Sequence, residues 1–288
     1  MSPRLELRPL CRVVVDNDFS GDPDGLLALA HHLLAPSNRV VLVTSSFLNP
    51  AMPGPHATAA DGAALAAELV EVVGGTTPAL VAGSERAFDP AAGAPSAAAD
   101  AIVTEARRDD PLPLFVVCGG PLTNVAEALR QAPDIVERFT LVWIGGSTRE
   151  GVFEYNRDTD PAAAAFVLGL PQVGVHQFPL EAYRRCAYSI AELEQDVGGA
   201  GRLGRWLWEH FTSPPDWIVL GGVWPQGDSP PLLVTALTDE SSTFAETPAA
   251  PGRGMRRMYT DVDFRLIMGD LLARLRLHER ATAERTGT

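Results

Sequence analysis

Short β-branched runs alternate with segments of helical period over residues 1–170, and this alternation constrains the chain more than any other feature. The strand candidates are Arg12–Val15, Arg39–Ser45, Ala79–Val81, Leu114–Val117 and Thr140–Ile144. Between them lie segments with apolar residues at helical spacing, such as Leu26–Ala35 and the alanine-rich stretch Ala57–Val73. A strand reaches a parallel neighbour only through a crossover, so the repeated strand–turn–helix unit predicts a mostly parallel, Rossmann-like α/β sheet flanked by helices. From about residue 195 the pattern loosens: GGAGRLGRWLWEHFTSPPDWI holds too many glycines, prolines and tryptophans for the same repeat. Phe264–Leu277 reads as an amphipathic C-terminal helix. With no internal repeat or long linker, the chain reads as one domain over 1–288, with the sheet over 1–180 and a helical cap plus C-terminal helix over 181–288 walling the site.

Composition narrows the classes of function. The 288 residues carry 36 acidic and 23 basic side chains, a formal charge of −13, which argues against an electrostatic grip on nucleic acid. Every basic residue is an arginine, so Schiff-base lysines and phosphate-cradling P-loop lysines are excluded. No apolar run approaches the roughly 18 residues of a membrane span. MSPRLELRPLCRVVVD lacks the apolar stretch of an export signal, so the expected location is the cytoplasm. Cys11, Cys118 and Cys186 are few and far apart, as in a reducing compartment.

Four carboxylates, Asp16, Asp18, Asp22 and Asp24, fall within nine residues directly after the first strand. In an open α/β sheet, ligands bind at the carboxyl ends of strands. Like charges this close repel unless a cation sits among them, and a cluster without cysteine or histidine favours a hard ion, Ca²⁺ or Mg²⁺. A simple helix cap at Leu26 would need one aspartate, not four.

The motif order resembles that of the inosine–uridine-preferring nucleoside hydrolases, whose N-terminal fingerprint is a strand followed by D-x-D-x-G-x-D-D. Here Asp16, Asp18, Asp22 and Asp24 are similar to it, with Ser20 and Pro23 disturbing the spacing. VVCGGPLTNVAEAL (Val116–Leu129), FEYNRDTDPAAAAFVL (Phe153–Leu168), LVTSSFLN ending at Asn49, and GDSPPLLVTALTDESSTF (Gly227–Phe244) resemble further family segments in the same order. The resemblance implies Asp18 as the general base, and Asp18, Asp24 and Asp228 as Ca²⁺ ligands with a backbone carbonyl near Gly119. Asp22 or Asp24 would also hold a ribose hydroxyl, the spacing change leaving that division open. Asn49, Glu154 and Asn156 would grip ribose hydroxyls, Trp224 and other C-terminal aromatics would wall the base pocket, and Asp16 and Asn124 would orient the ligands. It further implies a nucleoside-like substrate and a homodimer or homotetramer.

One departure bears on leaving-group chemistry. Where the family often carries a histidine before its C-terminal aspartate, this chain has Gly227, preceded by Gln226. Two alternatives stay open. A hydrolase-like fold retained as a sugar or nucleoside binder is motivated by Gly227 and the altered acidic loop. A haloacid-dehalogenase-like Mg²⁺ phosphatase would explain VVVDNDFS, but gives the GGPLTN and EYN…DP segments no role. Away from these motifs, Asp261 and Asp263 alternate as solvated residues on a strand edge would, and His31-His32 lies inside a helix.

Overall fold

The computed structural model describes residues 6–21, 23–51, 58–212 and 221–286. Its strands are β1 (Cys11–Asn17), β2 (Asn38–Ser45), β3 (Ala79–Ala82), β4 (Leu114–Cys118), β5 (Thr140–Ile144), β6 (Gly174–Phe178), β7 (Ala187–Ser189), β8 (Val223–Pro225), β9 (Thr243–Thr247) and β10 (Arg256–Asp261). Eight of them form the central sheet in the order β3-β2-β1-β4-β5-β6-β10-β9. All its pairings are parallel except β9 against β10. The helices are α1 (Asp24–Leu34), α2 (Ala59–Val73), α3 (Ala97–Arg107), α4 (Thr123–Gln131), α5 (Tyr155–Thr159), α6 (Pro161–Gly169), α7 (Leu180–Tyr183), α8 (Ile190–Glu192), α9 (Arg202–Phe211), α10 (Leu232–Thr235) and α11 (Phe264–Thr286).

Strand alternation divides the core into two layers. In β1, Val13 and Val15 pack into the cluster that includes residues of α1, α2, α9 and α11, whereas Val14 packs with α3, α4 and α6 on the other face. Both faces are covered, so β1 is buried throughout, and the near-continuous apolar run CRVVV is what a central parallel strand requires. Ser96 and Thr58 start α3 and α2 by accepting the amides of Ala99 and Asp61, respectively.

The C-terminal third differs from the helical cap expected of it. β9 and β10 extend the central sheet, and β7 and β8 form a separate antiparallel pair. β9 is an edge strand, TFAET, mostly exposed, so it carries no apolar alternation that would announce it. α10 is a single turn, and β6 (GVHQF) is a further parallel strand. Asp261 pairs with Arg185 at 3.2 Å, and Asp263 accepts the amide of Leu266 in the first turn of α11.

Candidate active site

The chain lays down β1, β2 and β3 outward in one direction, then returns to add β4, β5 and β6 on the other side of β1. The connections after β1 and β4 therefore diverge, opening the crevice at a topological switch point where ligands bind in such sheets. β1 delivers Asp16, Asn17 and Asp18 to that crevice, and β4 delivers Gly119 and Gly120. Alternation sends successive β1 side chains to opposite faces.

Asp16 faces the α3–α4 layer and is fully buried. Its carboxylate accepts from Thr44 Oγ1 at 2.6 Å, Asn124 Nδ2 at 2.9 Å and Cys118 Sγ at 3.5 Å. Burial pushes its pKa up to about 6, against the pull of these three donors. Asn124 also donates to the Ser45 carbonyl and accepts from the Ser84 amide and Ser96 Oγ. Asp16 and Asn124, each singled out separately in the sequence, are in direct contact and tie β1 and β4–α4 to the loops after β2 and β3.

Asn17 faces the other layer, and its Nδ2 donates to Asp228 Oδ2 at 2.9 Å. The Asp228 amide in turn donates to Asp24 Oδ2 at 3.1 Å. Two segments more than 200 residues apart in sequence are joined by these bonds. Glycines make the approach possible: a Cβ at Gly119 would stand 2.9 Å from Asp228 Cγ, and one at Gly25 would stand 2.6 Å from Asn17 Oδ1. Asp18 is buried beside them, with its backbone nitrogen close to Gly120 and its Oδ2 close to Gly21. Asp24 opens α1, where an anion is favoured by the helix dipole; α1 shows no side-chain N-cap hydrogen bond.

Glu154 and Asn156 come from the start of α5. Glu154 is buried and caps that helix, accepting from the amides of Asn156 and Arg157; it also accepts from the Gly146 amide and the Tyr183 hydroxyl. Burial raises its pKa, and those donors oppose the rise. Asn156 Nδ2 donates to the Gly119 carbonyl at 3.1 Å and to the Ile144 carbonyl at 2.9 Å, leaving its buried Oδ1 without a hydrogen-bond partner. Asn49 is half-buried; its side chain closes a turn on the Ala51 amide, and its own amide donates to Tyr155 Oη.

Other expected contributors are placed elsewhere. Trp224 is buried in the core, edge-on to Phe211 at 5.6 Å, and Tyr259 stacks on Phe178 at 4.0 Å. Asp22 and Trp217 lie outside the described residues. Asn17 and Tyr183 were missed by sequence reasoning. Asn17 had a usable signal, since it sits between two site aspartates on a strand; Tyr183 had none.

The donor chemistry here fits a hard divalent ion: Asp18, Asp24 and Asp228 carboxylates and the Gly119 carbonyl are all oxygens, and Asn17 Oδ1 is buried with no hydrogen-bond partner. Among the described residues no group of three His, Cys, Asp or Glu side chains closes into a metal-holding cluster.

These acidic groups gather at the carboxyl end of β1, the switch point of a parallel sheet, where open α/β folds bind their ligands. The sequence profile of the inosine-uridine preferring nucleoside hydrolases matches residues 13–240, and the chain belongs to that family of N-glycosidic hydrolases. Solved structures agree in fold. An inosine-guanosine nucleoside hydrolase (IG-NH) superposes with a TM-score of 0.70 at 17% identity, covering 92% of this chain and 98% of its own. A purine-preferring ribonucleoside hydrolase from Gardnerella vaginalis gives 0.71 at 18%, covering 94% and 99%. An inosine-uridine preferring nucleoside hydrolase from Bacillus anthracis gives 0.62 at 17%, covering 92% and 99%. No curated protein sequence matches the chain significantly. No helix among the described residues is long and apolar enough to cross a membrane.

Proposed function

We propose that the chain is a Ca²⁺-dependent hydrolase that splits the N-glycosidic bond of ribonucleosides, or of a related N-riboside, into free base and ribose. The observation that carries this reading is the junction of Asp228 with Asn17 and Asp24, which sets acidic groups from both ends of the chain in one crevice. Cleavage of such a bond passes through an oxocarbenium-like sugar, which carboxylates around the ring stabilise. Asp18, Asp24, Asp228 and the Gly119 carbonyl, with Asp22, would hold the ion. When bound, the ion supplies acidification of a water and a fixed anchor for vicinal hydroxyls. Asp18 takes the proton of the attacking water. Asp22, Asn49, Glu154 and Asn156 orient the ribose, and Asp16 and Asn124 hold the β1 end in place behind them.

Leaving-group protonation falls to no side chain at position 227, and two arginines are committed elsewhere: Arg157 to Asp158 and the Val152 carbonyl, Arg185 to Asp261. Relatively activated aglycones, or bases whose departure is helped by their own protonation, are the substrates this arrangement suits. We further propose a homodimer or homotetramer in the cytoplasm, where the three free, buried thiols of Cys11, Cys118 and Cys186 would stay reduced.

The test is a ribose-release assay on a panel of ribonucleosides with Ca²⁺, chelator, and Asp18→Asn. Release that falls by about 10²–10⁴-fold in the variant and stops with chelator is expected. Calcium-dependent ribose binding without turnover would replace this reading with the binder. Mg²⁺-dependent phosphate release would replace it with the phosphatase.

A further inference from the structure

The acceptor capacity of Glu154 is fully used by the chain itself. Its two oxygens offer about four lone-pair positions. Oε1 takes the Asn156 amide at 3.2 Å and the Tyr183 hydroxyl at 2.9 Å; Oε2 takes the Gly146 amide at 2.6 Å and the Arg157 amide at 2.9 Å. A sugar hydroxyl can bond this carboxylate only if one of the four withdraws.

The four are not equally held. Asn156 and Arg157 donate from the first turn of α5, whose start is the cap made by Glu154 itself. Gly146 donates from a turn with φ 78°, a backbone that other residues adopt only with strain. Tyr183 alone donates from a side chain. It ends the four-residue helix α7, is half-buried, and can rotate about two side-chain bonds. Its ring lies over Gly227, where an added Cβ would come within 3.1 Å of Cδ2 and 3.7 Å of Cε2. The missing side chain at 227 therefore leaves the ring its seat, directly beside the Asp24–Asp228 junction.

We propose that Tyr183 is a ligand-displaced stopper: its hydroxyl holds the one Glu154 acceptor position open to exchange, and yields it to a sugar hydroxyl when the ligand binds. This rests on Glu154 gripping a ribose hydroxyl, as in the reading above. Tyr183 acts through Glu154 and is a positioning residue. Between ligands it gives a buried carboxylate oxygen the second of its two hydrogen bonds. Each binding event must break that bond, so affinity is lower than the contacts alone would give.

The test is Tyr183→Phe, which keeps the ring on Gly227 and removes only the competing hydroxyl. Wild type and variant are titrated calorimetrically with D-ribose in the presence of Ca²⁺, and ribose release is followed from inosine and uridine. The expected result is ribose binding about three- to tenfold tighter in the variant, with KM lowered by a similar factor and no rise in kcat. Adding Glu154→Gln to Tyr183→Phe is expected to abolish the gain. A tyrosine serving only to hold Glu154 in shape would weaken binding when truncated. Unchanged or weaker ribose binding by Tyr183→Phe, in an enzyme that does release ribose, overturns this inference alone. A wild-type protein that neither binds nor releases ribose overturns the functional reading and this inference with it.

Discussion

The two ends of β1 both bury acidic side chains, and they treat them in opposite ways. At the amino end, Glu105 is met by Arg12 Nη1 at 2.5 Å and by Arg108 Nη2 at 2.9 Å. Arg12 is itself fixed by the Glu105 and Leu112 carbonyls, and Asp110 nearby is held by Arg39. At the carboxyl end, Asp16 is held by a hydroxyl, an amide and a thiol. Asp228 there takes the Asn17 amide, and Asp24 takes a backbone N–H. Arginine pairing cancels charge on the spot and serves the fold. Neutral donors fix the geometry of a carboxylate while leaving its negative charge to act on whatever enters the crevice. The contrast separates a carboxylate paired with arginine at one end of β1 from carboxylates held by uncharged donors at the other.

The largest effect that would sharpen this contrast comes from Arg12→Ala. It removes a buried charge partner and should lower unfolding stability by about 3–5 kcal/mol, read by denaturant melts. At temperatures where the variant stays folded, ribose release per folded molecule should hold. A large loss of activity in the folded variant would break the division between the two ends. Next comes Asn124→Ala at the opposite end. It strips a donor from Asp16 and three further bonds, so a stability loss of about 1–3 kcal/mol should accompany a drop in ribose release of about 10–100-fold. Equal loss in stability with unchanged activity would place Asn124 among the architectural groups.

The smallest effect concerns pH and belongs to the amino end. His32 is buried, beside His31, and its Nδ1 meets Asn38 Nδ2 at 3.0 Å. Burial first, then the neighbouring His31, lowers its pKa from the ordinary value of 6.5 to about 3. Between these values the unfolded chain binds the extra proton and the folded chain does not, so stability falls as pH drops below about 6.5. Melts between pH 7 and pH 5 should show a loss of about 1–2 kcal/mol attributable to this group. In His32→Gln, which keeps an acceptor for Asn38, that slope should be shallower. An identical slope would show that His32 does not titrate on unfolding.

Much of this organisation was legible in the residues. The parallel sheet followed from β-branched runs spaced by helical segments, because hydrophobic period is a local property. The acidic cluster after β1 was legible because four aspartates in nine residues cannot all be explained by a helix cap. Motif order singled out Asp16 and Asn124 separately, and only the fold brings them into contact. Less was visible in the C-terminal third: β9 and β10 are half-exposed, mixed-polarity strands recruited by the open edge of β6, and an edge strand has no pattern of its own to recruit it by. Trp224 illustrates the same limit, since a tryptophan in a loose segment gives no sign of whether it faces a pocket or Phe211. Tyr183 gave no sign at all. It became meaningful only when Gly227, some forty residues further along the chain, was found beneath its ring.

The sequence by itself determined the class of sheet, the placing of carboxylates at a strand end, and the exclusion of lysine chemistry, because each depends on residue type and spacing within a short window. Tertiary structure decided which carboxylates meet, which are neutralised, and that the lone pairs of Glu154 are all taken. Those are questions of distance and direction between segments far apart in the chain, and only the closing of the sheet sets them.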